Sequence, residues 1–222
     1  KLDNDPNTTG QGQFLEHIDI SFIDSDEDRC NDFIVDPPPH NRFYFEDQIE
    51  AVKNYYVNIS NNNFNFNFNV LDNLYTLSKN MKDYSISDAT IGELFAETLE
   101  LAKDDIEETI DMESIDNYLF VIFHAGVGQD ISFPYFDPTN YDIPSAYVEN
   151  SMLSTISDEA WISQHNIDRG IILPETLNHI YYDIIEELFY GVDDYCDYQI
   201  GMTGLFALLI GYALDFPPLY NT

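Results

Sequence analysis

Apolar residues recur every three or four positions from Phe43 to Ser60. Phe45, Ile49, Val52, Tyr55 and Tyr56 gather on one side, which predicts an amphipathic helix. Ile91 to Ile110 predicts a second, lined by Leu94, Phe95, Leu99, Ala102 and Ile106, with Thr90 or Asp88 placed to cap it. Between them, Asn61 to Val70 switches to a period of two. Phe64, Phe66, Phe68 and Val70 share one face of an expected strand, and Asn63, Asn65, Asn67 and Asn69 share the other. Two readings follow: a half-buried strand with an Asn-rich outer face, or a sheet edge that stacks through Asn and Phe in an assembly. Phe14 to Ile23 alternates in part and reads as a strand. Tyr118 to Phe123 is a continuous apolar run, expected as a buried central strand. It ends at His124-Ala125-Gly126-Val127-Gly128, where glycine allows a tight turn.

The second half is less regular. Gln129 to Asn150, with Pro134, Pro138 and Pro144, reads as loop. Thr176 to Phe189 has helical spacing through Leu177, Ile180, Tyr181, Ile184, Ile185 and Leu188. Ile200 to Leu214 is apolar all round, the mark of a fully buried helix, and Pro217-Pro218 ends it. Strands and helices alternate early, then helices dominate. The expectation is a polar tail or linker over 1–13, then one α/β (α+β) domain over 14–222: a mixed sheet packed on amphipathic helices, with one buried central helix. The most apolar stretch, Met202 to Leu214, is too short to span a bilayer, so no membrane insertion is expected.

Charge narrows the partners. The chain has 41 Asp+Glu against 8 Lys+Arg, a formal net charge of -33. Such a surface repels phosphate, which argues against nucleic acid, and it favours cations, basic proteins and salt. Protein partners or self-association remain, including a homo-oligomer that depends on salt or calcium. Asp24, Asp26 and Asp28 place oxygens at alternate positions, as calcium loops do, and Asp137, Asn140 and Asp142 form a second acidic loop. The alternative for both is a solvated acidic loop. Cys30 and Cys196 leave two readings open: free thiols, or a disulfide closing a long loop and contributing roughly 5 kcal/mol. His17, His40, His124, His165 and His179 are scattered with no i, i+4 pair, and there is no G-x-S-x-G.

One constellation resembles a known family. Secreted zinc metallopeptidases of the immune inhibitor A type carry a buried helix with H-E-x-x-H-x-x-G-x-x-D followed by L-Y-D-T. Leu208 to Thr222 aligns with that stretch without gaps, and Gly211, Leu214, Pro217, Leu219, Tyr220 and Thr222 resemble the pattern. Val121 to Asp130 resembles the family's strand ending in H-A-G. Asp36-Pro37-Pro38-Pro39-His40, the helix after it and the strand from Phe64 resemble the start of the peptidase domain.

The chemistry departs from the family. Leu208 and Tyr212 stand at the two His positions, Leu209 at the Glu position, Asp215 at the turn Gly and Pro218 at the third ligand. The resemblance implies a metzincin-like fold in a secreted, bacterial, multi-domain parent, and a chain that stops inside the domain. The substitutions predict a pseudo-peptidase: no zinc, no catalytic Glu, an extracellular binding or assembly scaffold. The alternatives are a structural subunit of a filament or surface layer, and an active hydrolase with a relocated site.

Overall fold

The computed structural model describes residues 7–9, 12–16, 35–130, 139–177 and 201–216. The expected strand Phe14–Ile23 beyond Glu16, the expected helix Thr176–Phe189 beyond Leu177, Cys30 and Cys196 lie outside them.

The described elements have mixed α/β content. Helix α1 (Arg42–Ile59) starts where Asn41 Oδ1 accepts the amides of Phe43 and Tyr44. Its buried stripe is Phe45, Gln48, Ile49, Val52 and Tyr56; Tyr55, expected on that face, is exposed. A short α2 (Met81–Tyr84) precedes α3 (Asp88–Thr109). Ser87, one residue before Asp88 and three before Thr90, closes the N-terminus of α3 in a reciprocal bond with Thr90. The predicted apolar positions of α3 are all buried. A 3-10 turn (Met112–Asn117) leads into β1 (Phe120–Val127). Then follow β2 (Ala146–Val148), the short α4 (Trp161–Gln164), β3 (Gly170–Thr176) and α5 (Met202–Ala213).

The sheet has the order β1-β3-β2, with β1 parallel and β2 antiparallel to β3. Sequence reading put the central strand at Tyr118–Phe123. The centre of the described sheet is instead β3, whose seven residues are all buried and which has no alternating pattern to announce it. Pro174 also argues against a strand in sequence terms. It sits opposite His124, next to the irregularity where the β1–β3 register shifts.

Alternation across the sheet separates two cores. Ile122, Val148 and Ile172 pack with Leu94, Phe95 and Leu99 of α3 and with Trp161. Ile171 and Leu173 pack with Ile49 and Val52 of α1 and Met202, Phe206, Leu209 and Ile210 of α5. Gly170 marks a close approach of β3 to α3: a Cβ there would lie 2.2 Å from the Phe95 ring. Helix α5 was expected to be buried all round. Its burial is one-sided, with Gly204 exposed and Leu205 and Leu208 half-buried. No helix among the described residues is long and apolar enough to cross a membrane.

The Asn/Phe segment keeps its predicted faces but is not a sheet strand among the described residues. Phe64, Phe66, Phe68 and Val70 are half-buried against the α1/α5 core, and the asparagines are exposed. It runs antiparallel beside α1: Phe64 contacts Tyr56, Lys53 lies over Phe68, and Arg42 pairs with Asp72. Eight residue steps at roughly 3.3 Å span about 26 Å, which matches the 18 residues of α1 at about 1.5 Å each. Alternation reports which face is buried; it does not supply a neighbour for the edges.

Candidate functional site

An open groove of about 560 Å³ lies between β2 and α5. Ser145, Tyr147 and Glu149 line it from the β2 side; Leu209, Tyr212, Asp215 and Phe216 line it from α5 and the turn after it. The Tyr147 and Tyr212 rings are 6.4 Å apart across it. The lining therefore mixes aromatic and apolar side chains with the exposed residues Glu149 and Asp215.

Local chemistry sets each wall. Buried Asp130 accepts the Ser145 amide at 2.9 Å and its hydroxyl at 2.8 Å, fixing the chain just before β2. Burial pushes the Asp130 carboxyl up, and the two Ser145 bonds oppose that. On the other wall, Gly211 lets α1 approach: the Tyr56 hydroxyl donates to the Ala207 carbonyl at 2.7 Å, and a Cβ on Gly211 would lie 3.1 Å from that hydroxyl. Helix α5 closes with the Asp215 amide on the Tyr212 carbonyl (2.9 Å) and the Phe216 amide on the Gly211 carbonyl (3.0 Å). That is a Schellman ending, with Asp215 left-handed at φ 58°. The turn glycine of the resembling family is gone, but the conformation that favours glycine is kept.

Of the residues that the sequence resemblance aligns with a zinc site, Leu209 and Tyr212 come together at the groove. Leu208 is half-buried and is not one of its walls, and Pro218 lies outside the described residues. Leu209 offers neither a lone pair nor a proton. Among the described residues, no group of three His, Cys, Asp or Glu is placed to hold a metal ion.

A second polar cluster sits at the carboxyl ends of the parallel strands β1 and β3. Glu175 Oε2 accepts the Leu15 amide at 2.7 Å and faces His40 Nδ1 at 2.8 Å, while Oε1 accepts the Gly126 amide at 2.6 Å. Gly126 is left-handed (φ 93°), and a Cβ there would meet Met81 and Thr9. His40 Nε2 lies 3.0 Å from the Asp36 carbonyl. Both ring nitrogens thus face oxygen acceptors. Tyr44 stacks on His40 at 4.3 Å and donates to the Glu175 carbonyl, and burial drives its hydroxyl far above the ordinary range. The His40 and Glu175 side chains are each 1% exposed. This cluster is buried among the described residues. It clamps the N-terminal segment, α1 and the strand ends together.

Asp36 extends the clamp. Its Oδ2 accepts the Met202 amide and its Oδ1 accepts the Gln48 side chain, both at 2.9 Å, and Gln48 accepts the Thr203 hydroxyl. Within β1, His124 Nδ1 lies 3.0 Å from the Ala125 carbonyl.

The acidic loops are placed only in part. Asp24, Asp26, Asp28 and Asp137 lie outside the described residues. Asn140 is exposed, in a turn closed by Asp142 N on the Thr139 carbonyl. Asp142 is fully buried, and its Oδ1 accepts the amide and hydroxyl of Thr9. Thr9 belongs to the stretch read as a tail, and it also accepts the Val127 amide. Sequence reading missed Ser145, Tyr147 and Glu149, which sit in a segment dominated by turn residues. It also missed the His40–Glu175 pair, whose members are 135 residues apart.

No family model matches the chain, and no curated protein and no solved structure matches it at a significant level.

Proposed function

We propose that this chain is a catalytically inactive, extracellular metallopeptidase-like domain whose groove between β2 and α5 binds an extended, cationic protein segment. The observation that carries the reading is the pair Leu209 and Tyr212. They occupy positions where the resembling family has its catalytic Glu and second zinc-binding His, and both line the groove. A metzincin-like arrangement is supported by the sequence resemblance, by the parallel β1–β3 pair with a short antiparallel β2 beside it, and by α5 along the groove. Replacing buried ligands with apolar side chains keeps such a core intact.

The same walls suit an extended ligand. Tyr147, Tyr212 and Phe216 offer aromatic surface, and β2 is the outermost described strand on its side, where an extended segment pairs by adding a strand. Glu149 and Asp215, within a chain of net charge -33, select a cationic occupant.

A fluorescent decapeptide alternating lysine and leucine, titrated into the full chain and followed by anisotropy, tests this. Saturable binding is expected, weakened on the order of tenfold by Tyr212→Ala and again by Glu149→Lys. A glutamate–leucine peptide is expected not to bind. Equal binding of both peptides, or no effect of the two substitutions, contradicts the proposal.

A further inference from the structure

A separate surface, independent of the groove, is the extended segment from Phe64 to Leu77. From Asn65 to Leu77, no backbone N–H or C=O takes part in a hydrogen bond. A row of unpaired backbone groups in extended conformation is a template for strand addition. Such edges are normally blunted by charge or proline. Here Asn61 to Leu77 contains no proline and one charged residue, Asp72, which Arg42 already pairs. In a chain of net charge -33, this segment itself adds little to the repulsion between two copies.

The occupant that fits is a second copy. A basic strand would find no carboxylate row here, whereas the Asn/Phe alternation is complementary to itself. Antiparallel pairing about a two-fold axis at Asn67 sets Asn65 opposite Asn69 and Phe66 opposite Phe68. Amides then face amides on the outer side, and rings face rings on the side that already packs toward α1. We propose that the chain self-associates through this segment, as an antiparallel strand pair formed when salt screens the remaining charge.

Sedimentation velocity on the full chain tests it, over a concentration series at about 0.05 M and about 1 M sodium chloride. A concentration-dependent dimer is expected, favoured at the higher salt. Asn65→Asp with Asn69→Asp puts carboxylates opposite each other across the pair, and is expected to weaken the dimer on the order of tenfold at low salt. Asn117→Asp with Asn150→Asp adds the same charge at exposed sites elsewhere and is expected to leave it unchanged. Amide hydrogen exchange over residues 65–71 is expected to slow in the dimer and to be fast in the monomer. A monomer at every concentration in high salt overturns the proposal. So does a dimer weakened equally by both double variants, or slow exchange of these amides in the monomer.

Discussion

Burial sets the charge state of His124. The ring is buried, and loss of hydration is the largest influence on it, lowering its pKa from the ordinary 6.5; the carbonyls of Ala125 and Ile143 and the charge of Glu175 act the other way. The folded state therefore prefers the neutral ring. A base depressed on folding contributes stability that is complete above its unfolded value and is lost as pH falls toward its folded value. His124→Asn keeps a donor for the Ala125 carbonyl and removes the titration. The variant is expected to be less stable at neutral pH, because it packs less well. Its deficit in Tm relative to wild type is expected to narrow as pH falls from about 7 to about 5. A deficit that stays constant across that range contradicts the account. Taking the difference matters, because protonating the carboxylates relieves self-repulsion in both proteins and pushes the other way. The strand that carries this histidine was legible in the sequence, from the apolar run Tyr118–Phe123 that precedes it. Its burial depends on β3, which was not.

The start of α5 depends on a residue 166 positions away. Gly201 offers no capping side chain, and Asp36 fills that role from the Asp36–His40 segment, itself left-handed at φ 50°. Asp36→Ala removes the cap, strands the Gln48 donor and leaves a Cβ residue in the left-handed region. A loss of about 2–3 kcal/mol in urea unfolding is expected, with faster amide exchange in the first turn of α5. A loss below about 0.5 kcal/mol means that the cap carries no weight. At this scale the sequence was uneven. Helices α1 and α3 were legible because a 3.6-residue period repeats over several turns in each, and α5 because its apolar run is too long for an ordinary strand. The Asn/Phe segment gave its faces but not its pairing. Strand β3 was hidden, because burial on both sides erases alternation and Pro174 mimics a break. Of the groove, the α5 wall could be aligned with a known motif. The β2 wall is three residues long and carries no pattern of its own.

The whole molecule places an α/β core under strong electrostatic tension. Two apolar layers enclose the sheet, and the clamp of Glu175, His40 and Asp36 ties the strand ends to α1 and α5. The net charge of -33 surrounds this core and selects cationic partners or neutral contact surfaces. The groove and the Asn/Phe edge are one of each kind. The proposed reading requires that the groove bind without cutting, since Leu209 at its wall cannot activate water. Incubating the purified chain with casein and added zinc, with and without chelator, tests this most directly. The account predicts no peptide release above the buffer blank in either condition. Cleavage by the pure chain that chelator abolishes would contradict it.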